Sequence, residues 1–129
     1  MSDKMRKKRI LIVDDDQGIL TMLKLLLQLE GYSPLTCSDP TAVFDRLEQE
    51  KPDLVLLDAM MPQMDGLEVL RQVQARNLLH RPPIVLLTGN AEESYSKQAL
   101  ERGASEIIIK PFVKEDLLDK LESFLGKQK

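Results

Sequence analysis

The chain has 129 residues and a formal net charge of −3, with 43% hydrophobic and 30% charged residues. This length and composition are typical of one globular domain and exclude a mainly disordered chain. The small negative charge argues against direct nucleic-acid binding, and no apolar run approaches the ~20 residues of a membrane span. The single cysteine, Cys37, cannot form an internal disulfide and favours a reducing, cytoplasmic setting.

Short apolar runs alternate with helical patterns along the whole chain. The runs cover residues 10–13, 32–37, 54–57, 82–88 and 106–110. Because parallel strands need crossover connections, this alternation predicts an α/β fold: a doubly wound five-stranded parallel sheet with helices on both faces. Pro34 cannot donate to a strand ladder, so the second run is predicted to be an edge strand. That position favours the flavodoxin-like order 2-1-3-4-5.

Several helix boundaries carry local signals. Gly31 and Gly103 are placed to end the first and fourth helices as left-handed caps. Asp39-Pro40 predicts the start of the second helix, which runs to about residue 50, and Asp65-Gly66 predicts a turn before the third. Asn90 is predicted to cap the fourth helix.

The domain organisation is predicted to be simple. Residues 1–129 are expected to form a single domain, since the chain shows no repeat, no low-complexity segment and no internal linker. Residues 1–8 are predicted to be a solvated basic N-terminal arm. Residues 126–129 are predicted to be a C-terminal tail or the start of a linker to a further domain.

Polar residues stand where four of the predicted strands end. Asp14 to Asp16 follow the first strand, Asp58 the third, Thr88 the fourth and Lys110 the fifth. Each of these alone also fits an ordinary turn, cap or surface position. Because the carboxyl ends of parallel strands share one edge of a sheet, we expect the four positions to meet in one pocket. Asp58, which closes a buried strand, must either emerge into water there or meet a cation.

Clustered carboxylates and a lysine at one edge indicate phosphoryl chemistry. Two unit charges about 4 Å apart repel by roughly 4 kcal/mol at intermediate dielectric, so the cluster predicts a bound divalent cation. Oxygen ligands without His or Cys favour Mg²⁺, with Mn²⁺ as a substitute. An ionised Asp58 beside a metal and Lys110 can attack phosphorus and form an acyl phosphate, and Thr88 can hydrogen-bond a phosphate oxygen.

Four segments carry a family resemblance. ILIVDDD, LVLLDAMMPQMDG, PIVLLTG and IIIKPF, in this order and spacing, resemble the receiver domain of two-component response regulators. The resemblance covers essentially residues 8–125. It implies that Asp58 is the phospho-accepting residue, that Asp15 binds Mg²⁺ directly and that Asp14 binds it through water. Asp58 and the backbone carbonyl of Met60 would complete the protein ligands.

The resemblance also implies roles at the ends of the fourth and fifth strands. Thr88 would be the switching hydroxyl and Lys110 the phosphate-pairing lysine, followed by a cis peptide bond to Pro111. At the switch position, three residues before Lys110, the family usually has Tyr or Phe, but this chain has Ile107. A β-branched aliphatic side chain has no ring to rotate and no hydroxyl. The resemblance therefore implies the phosphorylation chemistry, but not the rotation of an aromatic side chain that usually accompanies the shift of the threonine.

The function implied by the resemblance is a phosphorylation-activated signalling switch. Its phosphodonor would be a sensor histidine kinase or a histidine phosphotransfer domain. The domain would catalyse only its own phosphorylation and slow dephosphorylation, so it is not expected to be an enzyme in the usual sense. Its output partner is not identified by the sequence. A phosphorylation-dependent homodimer is a further expectation, whereas membrane and direct nucleic-acid binding are not expected.

Other functions fit parts of the same pattern. A Mg²⁺-dependent phosphatase or phosphotransferase of the haloacid-dehalogenase kind also uses an aspartate at a strand end. It would need a second aspartate where this chain has Met60, and a substrate cap. In a flavin-binding carrier the aspartates after the first strand would repel the flavin phosphate. A receiver-like scaffold that is never phosphorylated stays open because of Ile107.

Overall fold

A computed structural model describes residues 6–76, 78 and 80–127. Its strands are β1 (Arg9–Val13), β2 (Ser33–Cys37), β3 (Leu54–Asp58), β4 (Ile84–Thr88) and β5 (Glu106–Ile109). Its helices are α1 (Gln17–Leu29), α2 (Val43–Glu50), α3 (Gly66–Ala75), α4 (Glu93–Glu101) and α5 (Lys114–Leu125). The five strands form one parallel sheet in the order β2-β1-β3-β4-β5. The predicted fold class, strand order and edge position of β2 are confirmed.

Both faces of the sheet are buried beneath helices. In β1, Ile10 and Ile12 pack with leucines of α1 and α5, whereas Leu11 and Val13 belong to the core formed with α2, α3 and α4. This alternation follows from the two-residue period of a strand. Because both faces are covered, the central strands β1, β3 and β4 consist of nearly continuous apolar runs.

Most helix ends follow the local signals in the sequence. Gly31 and Gly103 have φ values of 93° and 104°, the left-handed conformation predicted for both. The prediction for Asn90 is wrong. Helix α4 begins at Glu93, and the Asn90 side chain instead accepts a hydrogen bond of 2.9 Å from the amide of Glu92, which forms a turn ahead of the helix.

Two aspartates mark the other predicted helix starts. The Asp65 carboxylate accepts a hydrogen bond of 2.9 Å from the amide of Glu68, in the first turn of α3. The Asp39 carboxylate likewise accepts from the amide of Thr41. The turn that follows Asp39 is a 3₁₀ helix (Pro40–Ala42) leading into α2, so the α-helix itself starts later than predicted.

The predicted N-terminal arm and C-terminal tail lie largely outside the described residues. Only residues 6–8 of the predicted N-terminal arm and residues 126–127 of the predicted tail fall within the described part of the chain. Within the arm, the Arg6 guanidinium lies 3.5 Å from the Asp53 carboxylate, at the start of β3. Across the described residues, none of the helices combines the length and the apolar character needed to cross a lipid bilayer.

Candidate functional site

Strand register brings the polar strand ends to one edge of the sheet. Val13 pairs with Leu57, so the next residues along β1 and β3, Asp14 and Asp58, lie side by side. One carboxylate oxygen from each of Asp14, Asp15 and Asp58 lies within 4.8 Å of the other two. Asp15 is exposed, whereas Asp14 and Asp58 are only 1% and 5% exposed. The sequence expectation that these carboxylates come together therefore matches the geometry.

Asp14 is the member of this acidic cluster whose pKa is clearly raised. One of its oxygens accepts a hydrogen bond of 2.9 Å from the amide of Asp16, and the other is buried with no hydrogen-bond partner in the part of the chain that is described. Burial raises the pKa of Asp14 to about 6; the Asp16 amide lowers it, and the charge of Asp58 adds a smaller increase. At neutral pH this carboxylate is therefore mostly charged although it is buried.

Lys110 pairs with Asp58, the carboxylate at the end of the buried strand β3. Its ammonium lies 2.9 Å from Asp58, and the side chains of the two residues are 31% and 6% exposed respectively. Asp58 therefore does not emerge into water but meets a cation. The backbone of Lys110 is held by a 2.7 Å hydrogen bond from its amide to the carbonyl of Thr88, and the peptide bond between Lys110 and Pro111 is cis.

Thr88 lies between these groups and is also buried, at 1% exposure. Its hydroxyl accepts a hydrogen bond of 3.0 Å from the amide of Asn90. Burial raises the pKa of Tyr95 on α4, and hydrogen bonding with the Thr88 side chain lowers it by a smaller amount. No motif in the sequence indicated Tyr95. The one available signal was a hydroxyl-bearing aromatic residue seven positions after Thr88, in an otherwise polar segment.

The loop after β3 begins directly after Asp58. The Met60 side chain is 73% exposed, while that of Met61 is buried at 6%. The amide of Gly66 donates a 2.9 Å hydrogen bond to the carbonyl of Ala59, which closes the loop onto the start of α3. The role suggested for the Met60 carbonyl stays a prediction.

Ile107 occupies the position where the family resemblance implied an aromatic residue. It pairs with Leu86 across β4 and β5. Its side chain is half-buried and packs against the core between the sheet and helices α2 to α4. Tyr95 packs against this same core. The structure therefore gives Ile107 a packing position against the apolar core.

The donor set of the acidic cluster fits a hard divalent cation. It consists only of carboxylate oxygens, and one oxygen of Asp14 is buried with no hydrogen-bond partner among the described residues. Mg²⁺ prefers oxygen ligands and retains several waters, so an open site with few protein ligands suits it. A cation would relieve both the mutual repulsion of the carboxylates and the unsatisfied oxygen.

A match to a known family agrees with this geometry. The family model for the response regulator receiver domain matches residues 10–122. The chain belongs to this family. The resemblance inferred from the motifs is thereby confirmed, and the receiver domain is a signalling domain of two-component systems.

Curated relatives of this receiver domain are longer proteins. It is 38% identical over 120 residues to the alkaline phosphatase synthesis transcriptional regulatory protein PhoP of Bacillus subtilis, covering 93% of this chain and 49% of that protein. It is 36% identical over 121 residues to the response regulator MprA of Mycobacterium tuberculosis, covering 94% and 52%. The chain thus spans about half the length of these relatives. The name of PhoP describes a transcriptional regulator, and this chain matches only about half of that protein. The expectation of no direct nucleic-acid binding therefore applies only to the residues of this chain.

Solved receiver domains have the same fold. A CheY-like receiver domain protein of Methanospirillum hungatei is 35% identical with a TM-score of 0.84, covering 95% of this chain and 97% of that one. The BeF3-activated N-terminal receiver domain of RstA from Klebsiella pneumoniae is 31% identical with a TM-score of 0.84, covering 93% and 100%. These similarities agree with the observed sheet order and helix placement.

Proposed function

We propose that this receiver domain takes a phosphoryl group onto Asp58 in a Mg²⁺-dependent reaction and thereby changes a partner-binding surface. The observation that supports this most directly is the pairing of buried Asp58 with Lys110 at 2.9 Å, inside a cluster of carboxylates. A carboxylate held beside a lysine can act as a nucleophile without a general base. An aspartate with only a structural role would not require both a lysine partner and two neighbouring carboxylates.

The proposed donor is a phosphohistidine on a sensor kinase or a phosphotransfer domain. A carboxylate oxygen of Asp58 forms a bond to phosphorus while the phosphorus–nitrogen bond of the donor breaks. The imidazole leaves with the electron pair and takes up a proton. The Lys110 ammonium, already beside Asp58, offsets negative charge on the phosphoryl oxygens, and the Thr88 hydroxyl donates to one of them.

The proposed metal ligands are Asp14 through water, Asp15, Asp58 and the carbonyl of Met60. When bound there, Mg²⁺ would neutralise carboxylate charge and charge on the transferring phosphoryl oxygens. Asp14 and Asp15 contribute negative charge and orientation, and they take no part in bond formation. The exposed position of Asp15 leaves the site open to an incoming donor.

Phosphorylation with a small donor tests this proposal. The chain is incubated with Mg²⁺ and acetyl phosphate, and its intact mass is measured. We expect a gain of one phosphoryl group that is absent with a metal chelator and absent in Asp58→Asn. The matched control is Asp16→Asn, because its carboxylate caps α1 and asparagine caps equally well. A phosphoryl gain in Asp58→Asn, or none in the wild type, would refute the proposal.

The competing phosphatase function has a separate readout. An enzyme of the haloacid-dehalogenase kind would turn over small phosphate esters continuously, with a second carboxylate as acid and base. Met60 stands two positions after Asp58 and supplies no such group. Sustained release of phosphate from esters at ordinary enzyme rates would favour the phosphatase over the signalling switch.

The wider organisation is also part of this proposal. Residues 1–129 would act as one receiver unit, with residues 1–8 as a basic arm and residues 126–129 as a tail or linker. The output would be a separate protein or domain, or a homodimer formed on phosphorylation. Comparing the mass of the assembly by light scattering with and without Mg²⁺ and beryllium fluoride, a phosphoryl mimic, tests the homodimer.

A further inference from the structure

A groove, which we call the α1 groove, lies between helix α1 and the segment that joins β5 to α5. Its volume is about 540 Å³, which is within the range of small-molecule sites in proteins. The groove reaches down to the sheet, because Leu87 of β4, itself only 2% exposed, is one of its lining residues. Helix α1 contributes Ile19 and Met22 to the lining, and the segment after β5 contributes Phe112. The α1 groove is therefore separate from the acidic cluster, whose carboxylates do not line it.

Apolar side chains dominate the lining of the α1 groove. Apart from two lysines, every described residue that lines it is apolar. Met22 is 53% exposed, so apolar surface is open to water there. An unbranched alkyl chain is narrow enough to lie along such a groove, whereas a helix with its side chains is about 10–12 Å across. The lining therefore fits the alkyl part of a small ligand.

The charged residues of the α1 groove are both cations. Lys110 and Lys114 line it, and none of the described carboxylates does. The ammonium of Lys110 already pairs with Asp58 at 2.9 Å. Lys114 is exposed and forms no ion pair within the described part of the chain. An apolar surface that is bordered by an ammonium group is complementary to an amphipathic anion.

A second groove of similar volume differs from the first in its charges. It also measures about 540 Å³ and shares Pro111 and Phe112 with the α1 groove. Its charged lining residues are Asp116, Asp119 and Lys120, so two carboxylates accompany one ammonium there. These two carboxylates would repel an anionic ligand. Charge therefore favours the α1 groove for an amphipathic anion.

We propose that the α1 groove binds a free medium-chain fatty acid as its carboxylate anion. The alkyl chain lies along the apolar side chains, and the carboxylate pairs with the ammonium of Lys114. Binding is noncovalent. This inference goes beyond the proposed phosphoryl transfer and does not depend on it, although Lys110 borders both sites.

Titration with decanoate tests this inference directly. Decanoate is added below its micelle concentration to the full chain without Mg²⁺, and the heat of binding is measured by calorimetry. We expect saturable binding of one decanoate per chain, with a dissociation constant of about 10–100 µM. Methionine labelled with ¹³C at the methyl group reports where the ligand lies. The Met22 resonance should shift, whereas that of Met60, 73% exposed after β3, should stay in place.

Two substitutions on α1 test whether the groove is the binding surface. Met22→Glu places a carboxylate in the lining and should weaken decanoate binding about tenfold or more. Leu25→Glu is the matched control, because Leu25 lies on the same helix, is similarly exposed at 56% and is not a lining residue. It should change the affinity by less than about twofold. Both side chains are exposed, so both variants should fold, and equal weakening by the two would overturn the inference.

Changes of the ligand and of Lys114 test the two parts of the recognition. Hexanoate has four fewer methylene groups, and each buried one contributes about fourfold in affinity, so it should bind at least about tenfold more weakly. Decyltrimethylammonium carries the same alkyl chain with a positive charge and should also bind at least about tenfold more weakly. Lys114→Gln should weaken decanoate binding by about 2- to 5-fold, because an exposed ion pair contributes modestly. Unchanged affinity in Lys114→Gln, or equal binding of the two decyl ligands, would overturn the inference.

Failure of this inference is distinct from failure of the proposed function. If decanoate does not bind below its micelle concentration, the inference is overturned, and a protein partner becomes the occupant that the exposed apolar surface indicates. The phosphoryl gain on Asp58 is measured separately and requires no fatty acid.

Discussion

The ammonium of Lys110 and the carboxylate of Asp58 lie 2.9 Å apart although their strands are not neighbours. Strand β4 separates β3 from β5, so the contact bridges the end of β4, where Thr88 lies. The lysine satisfies a carboxylate that would otherwise be buried and unpaired. It also places a positive charge beside the acidic cluster, and that charge opposes a metal cation there.

Replacement of Lys110 by methionine is expected to separate metal binding from phosphoryl transfer. Without the ammonium, Mg²⁺ meets less repulsion at Asp58, so its affinity should rise on the order of tenfold. Phosphorylation by acetyl phosphate should slow, because the charge that offsets the phosphoryl oxygens is lost. Calorimetric titration with Mg²⁺ and intact mass against time measure the two effects.

The matched control for this prediction is Lys120→Met. Lys120 pairs with Glu106 at 3.4 Å and has a side chain about as exposed as that of Lys110. It should change neither Mg²⁺ affinity nor phosphorylation. Unaltered Mg²⁺ affinity in Lys110→Met would contradict the expected charge competition.

Replacement of Asp14 by asparagine is expected to stabilise the metal-free protein. The wild-type carboxylate is buried and has a pKa of about 6, and within residues 6–76, 78 and 80–127 one of its oxygens has no hydrogen-bond partner. At pH 7 its ionisation therefore opposes folding. An amide of the same shape removes this charge. We expect the free energy of unfolding to rise by about 1–3 kcal/mol in urea with a chelator. Asp119→Asn, an exposed change on α5, should alter it by less than about 0.5 kcal/mol.

The stabilising effect of Asp14→Asn should depend on pH in a defined direction. For an acid whose pKa rises on folding, the protonated form stabilises the folded state relative to the unfolded state. For Asp14 this stabilisation is fully present below pH 3.8 and is lost as the pH rises through about 6. The advantage of Asp14→Asn should therefore be largest above pH 6 and shrink towards pH 4. Urea unfolding at several pH values measures this. A pH-independent difference would show that ionisation of Asp14 is not its cause.

The position of the acidic cluster could be predicted because it depends on strand topology. The five apolar runs predict a parallel sheet, and Pro34 in the second run places that strand at an edge. In this order the first and third strands are neighbours, so Asp14 and Asp58, at their ends, lie close together. No side-chain detail is needed, which is why this part of the site was accessible from sequence.

The parts of the site that depend on helix placement were not accessible from sequence. Asn90 satisfies the local requirements of an N-cap and of a turn equally well, and only the path of the loop decides that it forms the turn. The packing of Tyr95 against the core between the sheet and helices α2 to α4 depends in turn on where α4 starts, at Glu93. A pattern of residues along the chain does not contain that tertiary information.

Gly66 is expected to be essential for packing of the loop that follows Asp58. A Cβ atom at this position would lie 2.8 Å from the Leu86 side chain and 2.9 Å from the Ala59 backbone. Such distances force the backbone to shift, so Gly66→Ala should lower the free energy of unfolding by about 1–3 kcal/mol although alanine favours helices. Gly89→Ala is the control, since no atom of the described residues lies within 4 Å of a Cβ added there. Urea unfolding of both variants measures the difference, and equal stabilities would show that the loop adjusts freely around the added methyl group.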